Sequence, residues 1–267
     1  MSATLLLVGC GRMGGALLSG WLARGTAQRV VVVEPAGRIP GPPLAGVEVV
    51  TDAAAIPAGF TPDAVVLAVK PQTMPSVIAD YARFAGTAVF LSIAAGKPIV
   101  WFEERLGPDA AIVRAMPNTP ASVGRGMTVA VENARVSRAQ HALCNGLLAA
   151  VGQVAWTQRE PHLDAVTAVS GSGPAYVFLL AEALAHAGEA AGLPADLAAQ
   201  LARATVAGAG ELLQQSHESA EQLRRNVTSP KGTTEAALAV LMASDGLGPL
   251  LDRAVAAAAA RSRELAG

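Results

Sequence analysis

The residues best suited to chemistry lie at the start of the chain. Gly9-Cys10-Gly11-Arg12-Met13-Gly14 is a G-x-G-x-x-G sequence set between a short apolar run, Leu5–Val8, and a helical stretch, Arg12–Arg24. Glycines at this spacing permit a tight strand-to-helix turn and let backbone N–H groups approach a pyrophosphate at the positive end of the helix. In a chain with 27 glycines the pattern alone says little. Its strand–turn–helix setting is what points to a dinucleotide, with Gly9, Gly11, Arg12, Met13 and Gly14 around the pyrophosphate. Glu34 ends a second run, Val30–Val33, and lies 20 residues beyond Gly14. A carboxylate there accepts hydrogen bonds from the adenine ribose hydroxyls, the plain alternative being a solvated strand end. It would also repel the 2′-phosphate of NADPH, so of NADH and NADPH the sequence leans to NADH. Arg38, four residues on, opposes that lean, because a guanidinium could neutralise the phosphate.

Three further loops follow later apolar runs: Val69-Lys70-Pro71-Gln72, Ser92-Ile93-Ala94-Ala95-Gly96 and Met116-Pro117-Asn118-Thr119-Pro120. Ligands of open α/β sheets bind beyond the carboxyl ends of the strands. Val69, Lys70, Pro71, Ala94, Ala95, Gly96, Pro117 and Asn118 therefore join the candidate cofactor set. The Asn118 amide suits a nicotinamide carboxamide, although turn-making is the commoner task of such an asparagine. Ser170–Tyr176 and Thr228–Glu235 place hydroxyls and flexible backbone at two helix starts, where free N–H groups bind carboxylates. Each also reads as an ordinary capped helix. Ser172, at the first of them, is placed with the substrate.

The elements that must position these residues change character along the chain. Leu5–Val8, Val30–Val33, Ala64–Val69, Ala88–Ile93 and Ala110–Val113 are unbroken apolar runs of strand length, as in a parallel sheet buried on both faces. Helical stretches alternate with them, the clearest being Arg12–Arg24, closed by Gly25. Pro35, Pro40, Pro42 and Pro43 make Pro35–Gly46 an irregular crossover. Beyond about residue 160 the strand signal stops. Ala175–Ala191, Ala195–Gln214, Ala220–Asn226, Glu235–Ala243 and Leu250–Leu265 read as helices, with Pro174 and Pro249 in first turns and Gly192 past an end. The expected fold is α/β: a Rossmann-type doubly wound sheet over 1–160, then an all-helical domain over 161–267. Small residues from Ala198 to Gly210 would let a second helix approach closely, which predicts a dimer through this half.

Composition narrows the function. Of 267 residues 52% are hydrophobic and 15% charged, too apolar for a disordered chain. The net charge of −1 gives no field to hold nucleic acid or an anionic membrane. Cys10 and Cys144 form neither a metal spacing nor a disulfide framework, and read as reduced thiols of a cytoplasmic protein. The four histidines show no ligand spacing, so no metal is expected. The N-terminus reads as a first strand and not a signal peptide, and no stretch reads as the roughly 18 apolar residues of a membrane span.

Taken together, GCGRMGGA, AVKPQ, SIAAG, RAMPNTPASVGRGMT, DAVTAVSGSGPAYVF, AGLP and NVTSPKGTTEAAL resemble, in order and spacing, the pyrroline-5-carboxylate reductase family. The resemblance runs from about residue 4 to 265, and SGSGPAY and TSP-GTT are its most specific parts. It implies NAD(P)H-dependent reduction of the cyclic imine 1-pyrroline-5-carboxylate to L-proline, the last step of proline biosynthesis. It implies a helical dimerisation domain interlocked with a partner subunit, an active site at that interface, and a homodimer able to build a ring of dimers. By the same resemblance Ser229, Gly232 and Thr233 cradle the substrate carboxylate, and Thr234 hydrogen-bonds near the imine nitrogen. The loops Ser92–Gly96 and Met116–Pro120 hold the nicotinamide half. Two positions depart from the family: Lys231 stands where glycine is usual, and Glu34 where many members have serine or arginine.

Hydride delivery to carbon and a proton on nitrogen need no triad or metal, since the cofactor supplies the chemistry and the imine can arrive protonated. The protein then orients two molecules, a proximity effect of up to about 7–11 kcal/mol. A 3-hydroxyacid dehydrogenase on the same plan would want a lysine in Ala175–Ala191, which has none. A nonenzymatic NAD-binding scaffold would not need polar loops at both the cofactor and the substrate positions.

Overall fold

A computed structural model of the chain describes residues 3–39 and 44–266. Eight strands form one sheet: β1 Ala3–Val8, β2 Ala27–Val33, β3 Val47–Val50, β4 Ala64–Leu67, β5 Val89–Ser92, β6 Ala111–Met116, β7 Gly126–Glu132 and β8 Gly152–Trp156. Their spatial order is β3-β2-β1-β4-β5-β6-β7-β8. Every pair from β3 to β6 is parallel, β6 and β7 are antiparallel, and β7 and β8 are parallel again. The first six strands thus follow the dinucleotide-binding order, with its switch point between β1 and β4.

Period-two alternation divides the core into two layers. Leu5, Leu7, Val30, Val32, Val66 and Leu91 face α1 Arg12–Arg24 and a later helix on the same side. Leu6, Val8, Val31, Val33, Val65 and Phe90 face the opposite layer. That layer is covered by the short helix α2 Met74–Val77, the 3-10 segment Ile78–Phe84 and α3 Ile99–Leu106, through Met74, Ile78, Tyr81, Phe84, Phe102 and Leu106. On the first side α4 Arg138–Ala149 is started by a capping box between Ser137 and Gln140, and its Leu147 carbonyl accepts the Trp21 indole N–H at 2.9 Å. Gly25 ends α1 in the left-handed conformation, at φ 63°, as its sequence position predicts.

Three strands escape the sequence reading. β3, β7 and β8 are not continuous apolar runs, because they lie at or near the sheet's edges and carry exposed residues such as Glu48 and Gln153 and the half-buried Trp156. The connection from β2 to β3 is irregular over Pro35–Ile39 and Leu44–Gly46, while Pro40, Pro42 and Pro43 lie outside the described residues.

After β8 every described element is helical: α5 His162–Val166, a π-helical turn Thr167–Gly171, α6 Gly173–Ala190, α7 Ala195–Gln215, α8 Ala220–Asn226, α9 Thr233–Leu241 and α10 Leu247–Ala266. The expectation that no stretch has the length and apolarity of a membrane span needs correction. His162–Ala190 is 29 residues of helix that meets both criteria. The reason is local: Gly171-Ser172-Gly173-Pro174 reads as a break, yet Ser172 alone separates the π turn from α6, which takes Pro174 in its first turn, so two apolar segments follow one another with one residue between them.

The chain divides into two compact units, one of the described residues through Gly171 with those from Ala259 on, the other Ser172–Ala258. Within the second, α6 packs on α7, close enough that a Cβ on Gly188 would lie 3.2 Å from that of Ala198. Ala198 and Ala202 are buried on α7, whereas α6, α8 and α9 have no buried residue among those described. Phe178 is 68% exposed and Val240 72%.

Candidate functional site

The candidate cofactor residues line one edge of the sheet. β2, β1, β4, β5 and β6 are parallel neighbours, so Glu34, the glycine turn, Val69–Pro71, Ala94–Gly96 and Pro117–Asn118 follow one another along their carboxyl ends. At the switch point Gly9 has φ 88°, and a Cβ there would meet Val69 Cγ1 at 2.8 Å and the Ala68 carbonyl at 3.1 Å. Gly9 is therefore required twice, for its left-handed backbone and for the close passage of the chain beyond β4. A Cβ on Gly14 would run into the Gly9 carbonyl oxygen, so Gly14 lets α1 start tight against the turn. Gly11, the N-cap of α1, has open space where its Cβ would be, and no side chain caps the helix. Free N–H groups at an open helix start are what a pyrophosphate needs. Arg12 is exposed beside them and Met13 half-buried.

Glu34 is half-buried and turned toward this loop. Its Oε2 accepts the Cys10 backbone N–H at 3.0 Å and its Oε1 the Ala36 N–H at 3.4 Å. The carboxylate is thus fixed at the end of β2 instead of waving in solvent. Burial, with the Glu34 charge second, raises the Cys10 thiol above its ordinary value. Burial pushes Cys144 up to about 12, with Glu132 adding to it. Both cysteines are free and buried, an environment that favours the thiol over the thiolate.

Farther along the edge, β4 stops at Leu67, two residues short of the run seen in sequence, and the chain turns at Lys70, whose carbonyl accepts the Thr73 N–H at 2.9 Å. Ser92 is fully buried, and its Oγ accepts the Ala94 N–H at 3.3 Å, folding the next loop back until Gly96 turns it at φ 71°. The Asn118 amide is engaged at both ends: Oδ1 accepts the Met127 N–H at 2.8 Å and Nδ2 donates to Ser170 Oγ at 3.1 Å. Asn118 therefore ties its loop to β7 and to Ser170, a task other than the local turn-making such an asparagine commonly performs.

In the second unit, Ser229–Gly232 form a turn in which the Ser229 carbonyl accepts the Gly232 N–H at 3.0 Å. Pro230 precedes Lys231, which has φ 61° and is the positive-φ non-glycine among the described residues. Proline followed by a left-handed residue is the type II pattern. Glu235 Oε2 accepts the Lys231 N–H at 2.7 Å, and a Cβ on Gly232 would sit 2.9 Å from Ser229 Oγ. Gly232 is the N-cap of α9, whose first turn carries Thr233 and Thr234; Thr234 is half-buried and its hydroxyl has no hydrogen-bond partner among the described residues. Ser172, the N-cap of α6, likewise makes no side-chain cap bond. Neither start is the ordinary capped helix that its sequence also allowed. Ser170 and Glu235 organise these loops without having been assigned a part. The signal for Glu235 was its place three residues after the cap, the usual reach of a capping-box glutamate.

Comparison with known proteins covers both halves. A family profile described as pyrroline-5-carboxylate reductase dimerisation matches residues 160–265, and one described as NADP oxidoreductase coenzyme F420-dependent matches residues 4–96. The pyrroline-5-carboxylate reductase of Pseudomonas aeruginosa is 41% identical over 98% of this chain and 96% of its own. Among solved structures, the pyrroline-5-carboxylate reductase of Coxiella burnetii superposes with a TM-score of 0.89 at 34% identity, covering 100% of both chains. The Plasmodium falciparum pyrroline carboxylate reductase, solved with NADP bound, gives 0.81 at 29% identity over 99% of this chain and 98% of that one.

Proposed function

Since the chain belongs to the pyrroline-5-carboxylate reductase family, we propose that it reduces 1-pyrroline-5-carboxylate to L-proline with NAD(P)H, the last step of proline biosynthesis. The observation that carries this is 41% identity spread over nearly the whole chain, so that the cofactor half and the helical half are matched together.

The geometry supports one division of labour within this reading. The pyrophosphate lies on the open start of α1 at Gly9–Gly14, the adenine ribose on Glu34, and the nicotinamide half beside Ala94–Gly96 and Pro117–Asn118. The bound cofactor supplies the hydride. The Ser229–Thr234 turn presents the uncapped N–H groups of α9 to the substrate carboxylate, with Ser172 at the start of α6 a second polar contact. The free hydroxyl of Thr234 orients the imine nitrogen; it is no base, and the imine arrives protonated. Glu34, held by two backbone N–H groups, favours NADH, because a 2′-phosphate would sit against its charge. The enzyme is a homodimer through Ser172–Ala258, able to assemble into larger rings, and its two buried free thiols suit the cytoplasm.

The test is oxidation of NADH and of NADPH by purified protein with and without the imine, with proline identified as product. Imine-dependent oxidation with neither cofactor would refute the reading.

A further inference from the structure

Among the described residues Arg114 is the one buried charged side chain, 7% exposed in β6 opposite Ser92 of β5. Its Nη1 lies 2.8 Å from Glu160 Oε1. The same oxygen accepts the Ile99 N–H, in the first turn of α3, at 2.8 Å. Arg114 stands two residues before Met116, where the Met116–Pro120 loop begins, and Ile99 three residues after Gly96, where Ser92–Gly96 ends. One carboxylate oxygen therefore ties the entry of one loop to the exit of its neighbour. Glu160 itself comes from the segment after β8, so three separate pieces of chain meet at this oxygen. The Arg114 side chain is 9% exposed and that of Glu160 26%; an apolar pair of similar volume often serves stability as well as a desolvated ion pair, so what this pair fixes is the point of interest.

We infer that Arg114 and Glu160 are positioning residues for the nicotinamide half of the cofactor, holding the loops Ser92–Gly96 and Met116–Pro120 at a set separation. The inference rests on the reading that those loops hold the nicotinamide half. Neither side chain touches the reacting atoms; the pair acts through loop placement, where an error of about 1 Å can cost on the order of a hundredfold in rate.

The experiment measures dissociation constants of NADH and of ADP-ribose, which lacks nicotinamide, on the full chain carrying Glu160→Ala, Glu160→Gln or Ala95→Glu. Glu160→Ala should weaken NADH about tenfold or more and leave ADP-ribose at the wild-type level, with kcat lowered and the imine KM unmoved. Glu160→Gln keeps an oxygen that both donors can reach and should restore most of the NADH affinity. A folded Glu160→Ala that binds NADH normally, or that loses NADH and ADP-ribose equally, overturns the inference. Should that variant not fold, Arg114→Met with Glu160→Gln, which strands no buried charge, is read by the same two outcomes. Ala95→Glu separates the two levels. If it weakens NADH while Glu160→Ala does not, only the positioning role fails; if it leaves NADH unchanged, the placement of the nicotinamide fails and the inference with it.

Discussion

Thr234 and Glu34 carry the residue-scale expectations. The Thr234 hydroxyl is half-buried and unpartnered among the described residues, at the start of a helix whose cap is glycine. Thr234→Val keeps the shape and removes the hydroxyl. It should lower kcat/KM for the imine by about 1.5–3 kcal/mol, roughly tenfold to a hundredfold, and leave cofactor affinity in place. A variant with wild-type kcat/KM would reduce Thr234 to a helix-start residue. For Glu34 the useful measurement is a ratio, because Glu34→Ser also strips the Cys10 and Ala36 N–H groups of their acceptor and so weakens either cofactor. The NADPH/NADH ratio of kcat/KM should rise by about tenfold or more as the carboxylate is lost. A ratio unmoved by the substitution, in an enzyme that already favours NADPH, would show that the cofactor's ribose lies elsewhere.

At the scale of an element, the turn before α9 is where a side-chain-bearing residue takes a left-handed backbone. Lys231 holds φ 61°, which costs a side-chain-bearing residue about 1–2 kcal/mol relative to its preferred backbone. Glu235 holds the turn by accepting the Lys231 N–H, a bond that any residue at 231 other than proline would keep. Lys231→Gly should therefore preserve the loop and stabilise the protein slightly, by about 0.5–1 kcal/mol once the greater unfolded freedom of glycine is subtracted. Lys231→Val should destabilise it, since a β-branched side chain tolerates that backbone least. Urea unfolding of the two variants checks the sign, with the imine KM of Lys231→Gly expected to match wild type. If the glycine variant is the less stable, the Lys231 side chain contributes something beyond its backbone.

For the whole molecule, the exposed apolar side chains of the second unit are the deciding feature. Phe178, Leu179, Leu180, Val240 and Met242 are each more than half exposed, and so many exposed large apolar side chains in one unit mark an interaction surface. The dimerisation profile over residues 160–265 supplies the occupant, further copies of the chain, so the protein is a homo-oligomer. The matched stretch includes His162–Ala190. Gly208 gives a clean probe of the dimer. A Cβ there meets nothing within 4 Å in its own chain, so leucine is free to extend the helix and even favour it. Against a packed partner the same side chain overfills the contact. Gly208→Leu should weaken assembly by about 1–3 kcal/mol while helix content is kept. Sedimentation or light scattering across a dilution series checks it, and an enzyme fully active as a monomer would contradict the dimer altogether.

What the sequence determined by itself is what short-range physics writes into short strings. The glycine turn, Glu34 at the end of a valine run, the α1 boundaries with Gly25, and Pro174 and Gly192 at the ends of α6 are all local conformational requirements. The two halves were legible for the same reason: period-two burial on both faces of a sheet leaves unbroken valine runs, and helices packed on one another do not. The tertiary structure decided whatever depends on a partner far along the chain. β3, β7 and β8 exist because neighbouring strands pair with them, and a half-exposed edge needs no apolar run to announce it. Asn118 braces its loop because Met127 and Ser170 happen to face it, and Ser92 folds another because it is buried at the end of β5. The tie from Arg114 through Glu160 to Ile99 spans 46 and 61 residues of sequence. No spacing rule connects residues so far apart; only the packed fold, with Arg114 in β6, Ile99 at the start of α3 and Glu160 after β8, brings those donors to one oxygen.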